Sequence, residues 1–381
     1  VDFWYGCEGA DNNNVSGPGN LVVTGGVTYP ANLRIAPGAG SGAGSSTSTT
    51  WMVKGGNFKT GGSLEVLPGD GGATNGEFVF STMDCDTAHG ADIMVGNDLM
   101  VGTHGNRTDT THSQRFLVRF NDSKVHVGDD IIVGDRSDAW YAPNGSLDLG
   151  NATIYLGDDF LVYWPQQATW AVNTWNGGTS TIICDGNGLS NAQTLTTRGN
   201  EGFELHNLHI NTSGSVTLTD GGYGTLPDLG KTPPYIPPTN GGGDLLLTGD
   251  LKILAGTFNA NSNTITFNGD EHYFEAAGGT TYDLDNVVLA EDAVLRLLSD
   301  MTIDPPDNLV MLNGSKLYLN DHTLTIEGLD PFVSSEVSAA GIDWDQGKIY
   351  GTLAVPEPAT MLLVGTGLLG AMGYLRRRRM T

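Results

Sequence analysis

Apolar residues along this chain come in short runs of alternating apolar and polar positions, separated by clusters of Gly, Asn, Asp, Ser and Thr. Before residue 355 no run keeps a helical period for more than a turn or two, so the pattern predicts many short strands joined by tight turns. One pattern repeats. Ile93-Met-Val-Gly-Asn-Asp-Leu-Met-Val-Gly102 recurs as Val125-His-Val-Gly-Asp-Asp-Ile-Ile-Val-Gly134 and as Ile154-Tyr-Leu-Gly-Asp-Asp-Phe-Leu-Val-Tyr163. Each copy reads as strand, Gly-Asx-Asp corner, strand, with Gly96, Gly128 and Gly157 where a Cβ would not fit. A two-strand unit cannot bury its apolar side alone, whereas stacked copies can, so the repeat predicts an all-β body built as a parallel β-helix or β-solenoid. A β-sandwich is the alternative. The spacing of about 30 residues exceeds one compact turn of such a stack, so each unit needs a loop or a third strand.

Leu226 to Gly243, LPDLGKTPPYIPPTNGGG, holds five prolines followed by three glycines, a density that excludes a central strand or helix. It divides the expected organisation into a repeat-bearing domain (1–225), a Pro/Gly linker (226–243) and a second strand-rich segment (244–354). In the latter, Gly256-Thr-Phe-Asn-Ala-Asn-Ser-Asn-Thr-Ile-Thr-Phe-Asn-Gly269 and Leu317-Tyr-Leu-Asn-Asp-His-Thr-Leu-Thr-Ile326 again read as strand, corner, strand. This stretch resembles the loosely repeated right-handed parallel β-helix modules of bacterial surface and autotransporter-like proteins.

The last segment, 355–381, differs from everything before it. Ala359 to Leu375 is a run of 17 uncharged, largely apolar residues followed by Arg376, Arg377, Arg378 and Arg379. As a helix it would span about 25 Å, enough for a thin bilayer core, with the arginines on the cytoplasmic side. The sequence thus predicts a C-terminal transmembrane helix and a body outside the cytoplasmic membrane. Gly365, Gly367 and Gly370 match a dinucleotide fingerprint by accident, since no βαβ unit surrounds them. The order Pro356-Glu357-Pro358, apolar segment, arginine cluster resembles the PEP-CTERM sorting signal of Gram-negative surface proteins. That resemblance implies an exosortase, an integral membrane protease, as partner. It also implies cleavage near Pro356, a transient inner-membrane anchor, and delivery to the cell surface or extracellular matrix. The chain begins at Val1 with no apolar leader, so a signal peptide is expected to have been removed or left out.

Charge narrows the partners. Up to Pro358 there are 14 Lys and Arg against all 43 Asp and Glu, a formal charge of −29. Such a surface repels nucleic acid and attracts cations, which excludes a nucleic-acid role. Cys7, Cys85 and Cys184 are too few and too scattered for a disulfide scaffold or a zinc site; one pair could bridge and leave one free.

Candidate chemistry is sparse. Arg107, Arg115 and Arg119 with His104 and His112 form a loose basic group better read as local ion pairing. His206 and His209 lack the glutamate and third ligand of a metalloprotease. Asp98, Asp129, Asp130, Asp158 and Asp159 fall at equivalent corners, where stacking would bring carboxylates together and favour structural Ca²⁺ between them, although no known calcium-loop spacing is matched. Trp140, Tyr141, Tyr163, Trp164, Trp170 and Trp175 form an aromatic concentration suited to sugar stacking or a subunit contact. No nucleophile elbow or phosphate loop is present. The sequence therefore predicts an exported, non-enzymatic structural or adhesive protein of the cell surface or biofilm matrix. The alternatives are a glycan-binding or polysaccharide-degrading β-helix protein and a self-assembling filament or layer subunit.

Overall fold

A computed structural model describes residues 3–5, 19–24, 27–29, 31–35, 46–54, 56–66, 78–85, 90–102, 114–133, 144–163, 175–176, 178–186, 192–198, 203–220, 244–303, 308–312, 314–326, 348–350 and 353–354. All regular structure within them is β, in strands mostly of three to nine residues. Burial alternates along them as the sequence pattern requires: Asp92 and Met94 face out while Ile93 and Val95 face in. Thr153–Leu156 and Thr181–Cys184 follow the same rule.

The strands pair in parallel, each with the strand one repeat away. Val125 lies beside Ile93 on one side and Ile154 on the other, and Ile154 continues to Ile182 and Leu208. On the far side of the Gly-Asx-Asp corner a second ladder runs Leu33, Leu64, Leu99, Ile131, Phe160, Leu195. The missing third strand of the long repeat is Phe78–Cys85, Gln114–Arg119 and Asn144–Asp148, which stack in their own ladder. Past residue 244 the spacing tightens: Ile265 pairs with Val287 and Val287 with Leu309, an offset of 22 residues. Buried side chains from all these ladders form one apolar core, with Phe58, Phe120, Phe160, Phe258, Phe267 and Phe274 the largest. Like residues stacked about 4.8 Å apart in a parallel sheet supply van der Waals contact continuously along that core.

The expected β-helix or β-solenoid, in which each face is a sheet of its own, needs correction. Asn207–Asp220 is 14 residues long. Its first half pairs with Thr181–Cys184 and its second with Ala192–Arg198, so it belongs to both ladders at once. Leu251–Asn259 does the same with His272–Ala276 and Thr281–Asp283. The strand turns the corner at an irregular register between Ile210 and Ser215. Opposite this bend, Gly256 has φ +82° and sits against the carbonyls of Thr212 and Gly214, so it takes a conformation and a space that other residues lack. Two faces thereby fuse into one 20-stranded parallel sheet. That sheet curls round the single core as a nearly closed, barrel-like parallel wall, in place of separate faces stacked independently. The sandwich alternative fails too, because it requires two antiparallel sheets packed face to face.

The C-terminal transmembrane helix is a second correction. Among the described residues there is no helix, and none long and apolar enough to cross a membrane. Residues 355–381, where it was expected, lie outside the described residues, as do the Pro/Gly segment, Cys7, His104, Arg107 and His112. Membrane attachment through such a helix, and the inner-membrane anchor step, rest on residues outside the described ones and are carried by nothing in the described structure. Cys184 is fully buried, and burial pushes its thiol up to about 12, which makes it an inert core residue.

The aspartate corner as candidate functional site

The corner between the first two ladders is built on a column of glycines. A Cβ on Gly128 would lie 2.9 Å from the carbonyl carbon of Gly96 and closer still to its oxygen, and one on Gly157 would lie 2.7 Å from the carbonyl carbon of Gly128. Only glycine lets consecutive corners approach this closely. Backbone bonds then tie corner to corner: Gly128 N–H donates to Val95 O at 2.9 Å, Asp129 N–H to Asn97 O at 3.1 Å, and Asp158 N–H to Asp129 O at 3.0 Å.

Two columns of side chains follow the glycines, and they have different roles. In the inner column, Asp98 Oδ1 accepts the N–H of Asp130 at 3.4 Å, Asp130 Oδ1 that of Asp159 at 3.0 Å, and Asp159 Oδ1 that of Thr194 at 2.6 Å. Asp98 also accepts the Ser63 hydroxyl at 3.2 Å. Each of these carboxylates caps a backbone donor that the turn would otherwise leave unpaired. The outer column, Asn97, Asp129, Asp158, has no such duty. Asp129, Asp130 and Asp158 bring carboxylate oxygens within 4.8 Å of one another, and all three groups are half-buried.

The electrostatic consequence is a cluster reluctant to ionise. Burial, with the charges of Asp159, Asp129 and Asp98, pushes Asp130 up to about 6 although the Asp159 N–H bond pulls the other way. Burial and the charges of Asp159 and Asp129 bring Asp158 to about 6 as well. Asp129 is raised by burial and then by Asp98. No positive group figures among these causes. The cluster can therefore chelate a divalent cation, which would relieve the repulsion, and it can exchange protons near neutral pH. The expectation of a non-enzymatic protein is corrected here, since close carboxyls of this kind are consistent with a catalytic or metal-binding centre.

Of the five aspartates singled out in the sequence, the structure gathers Asp129, Asp130 and Asp158 into the cluster and commits Asp98 and Asp159 chiefly to backbone capping. The aromatic group is not brought to this corner by anything described: Trp140, Tyr141, Trp164 and Trp170 lie outside the described residues, and only the strand backbones of Tyr163 and Trp175 are described. On the sheet face Tyr155 instead stacks on His126, ring centres 4.4 Å apart, with the Lys124 ammonium 5.1 Å from the Tyr155 ring. The His206 ring faces the Thr248 hydroxyl at 3.1 Å. Sequence reading missed Gln193 and Thr194. Gln193-Thr194-Leu195 stacks under Asp158-Asp159-Phe160 as a further copy of the corner in which an amide and a hydroxyl replace the two acids.

In comparison with protein families, residues 354–379 match the family model of the PEP-CTERM protein-sorting motif. The match spans the tail and leaves the body unassigned; it supports export by an exosortase-linked route. Comparison with curated proteins and with solved structures finds no match.

Proposed function

We propose that this is an exported, glycan-directed protein whose aspartate corner binds extracellular polysaccharide through a hard divalent cation. The observation that carries the reading is the convergence of Asp129, Asp130 and Asp158 oxygens within 4.8 Å on a parallel wall, with no positive group among the described residues contributing to their electrostatics. A body of formal charge −29 repels uronate polymers. A cation held at the corner reverses that locally and accepts sugar hydroxyl or carboxylate oxygens in its remaining positions. Calcium suits an all-oxygen, flexible donor set better than zinc, which prefers nitrogen and sulfur. The tail assigns export, and processing near Pro356-Glu357-Pro358 delivers the body to a matrix rich in such polymers. Retention of the purified protein on an insoluble uronate polysaccharide in millimolar calcium, lost with chelator or in D129N/D158N, tests the reading. Equal retention with and without calcium refutes it.

A second reading has its own support. The Asp129, Asp130 and Asp158 carboxyls lie closer to the separation of the acid and nucleophile of a retaining glycosidase than to the wider pair of an inverting one. Release of reducing ends from a soluble polysaccharide, abolished in D130N, would favour hydrolysis over binding.

A further inference from the structure

We propose that Gln193 supplies the neutral oxygen ligand of the cation site, closing the outer column beneath Asp158. The Gln193 side chain is completely buried. Its Nε2 donates to Leu156 O at 3.0 Å and to Asp158 O at 2.9 Å, which anchors the amide against the corner itself. Flipping the amide would set Oε1 against two carbonyl oxygens, so the orientation is determined by the bonds it makes. Oε1 is then buried with no donor, and so is Asp158 Oδ1 in the adjacent layer of the same column. An unsatisfied buried acceptor is costly, and two at one corner call for a shared positive partner. Water can donate to both, but a cation also removes the repulsion among the three aspartates, which water does not. With Asp129, Asp130 and Asp158 the set becomes three carboxylates and one amide oxygen, a hard, all-oxygen site of the calcium class.

This inference rests on the cation reading of the corner and not on glycan recognition, and the experiment keeps them apart. Terbium bound to the full chain would be measured by its luminescence lifetime in H₂O and D₂O, which counts coordinated waters, with calcium titrated as competitor. The expectation is competitive binding to the unmodified chain. In Gln193→Met one additional water coordinates and calcium affinity falls about tenfold. In the unmodified chain labelled with 15N-glutamine, calcium shifts the Gln193 side-chain amide resonance, because coordination through Oε1 polarises the amide whose Nε2 stays bonded to Leu156 O and Asp158 O. Binding with the same water count and affinity in Gln193→Met overturns the role of Gln193 alone. Absence of any binding to the unmodified chain overturns the cation reading with it. If Gln193→Met does not fold, the amide resonance of the unmodified chain decides: a Gln193 side-chain signal that does not shift on addition of calcium overturns the proposal. Polysaccharide retention, scored separately on the same proteins, reports on the glycan reading.

Discussion

Asp130 Oδ1 accepts the backbone N–H of Asp159 at 3.0 Å, joining one corner to the next through a carboxylate that also belongs to the aspartate cluster. The same side chain thus stabilises the fold as an acceptor and strains it as a charge. The two effects separate by substitution. Asp130→Asn keeps an acceptor and removes the charge, so in chelator its melting temperature should equal or exceed that of the unmodified protein. Asp130→Ala loses the acceptor and should be less stable by about 1–2 kcal/mol in denaturant titration.

Stability should depend on pH in an unusual direction. Asp130 and Asp158 have folded values near 6, above the ordinary 3.8, so the folded state holds its protons more tightly than the unfolded chain. Their contribution is fully present below about pH 3.8 and is lost as pH rises through 6. In chelator, calorimetric melting should therefore fall between about pH 5 and pH 7.5. Millimolar calcium should restore it at the upper end by binding the ionised form. A melting temperature that rises over this interval in chelator would contradict the cluster.

The glycine column is unforgiving. Gly128→Ala places a Cβ 2.9 Å from the Gly96 carbonyl carbon, against backbone that cannot rotate away. A loss of at least about 2 kcal/mol is expected from opening the corner. Gly278→Ala, with nothing within 4 Å of its Cβ, is the control and should cost far less. Thermal melts of the two variants check the contrast.

The tail makes a cellular prediction. Replacing Pro356-Glu357-Pro358 with alanines should leave full-length precursor and little processed protein in the culture medium, on immunoblot of cells and medium. Unchanged processing would remove the sorting motif from the export route.

Much of the local structure was legible in the chain. Period-two alternation placed Ile93, Val125 and Ile154 inside, and the Gly-Asx-Asp repeat placed three corners in register. Which aspartates converge was only partly legible. All five share one sequence context, yet Asp98 and Asp159 are turned to backbone donors while Asp129 and Asp158 are not, a division made by the offset of one residue along the corner. Gln193 was invisible for two reasons. The step from Asp159 to Thr194 is 35 residues, where the preceding corners are 32 and 29 apart. The Gly-Asx-Asp signature is also gone there, so the pairing of Gln193 with the corner depends on strand register alone.

By itself the sequence determined that the chain is all-β, strongly acidic, repetitive at Gly-Asx-Asp corners and addressed for export. These follow from side-chain periodicity, charge count and a contiguous motif, all of which are local. The tertiary structure decided that two faces fuse into one nearly closed sheet at Asn207–Asp220 and Leu251–Asn259, and that three carboxylates and a buried amide meet at one corner. Those outcomes depend on pairing between residues about 20 to 40 positions apart. Parallel register brings such residues within a few ångströms, and no short stretch of sequence encodes that proximity.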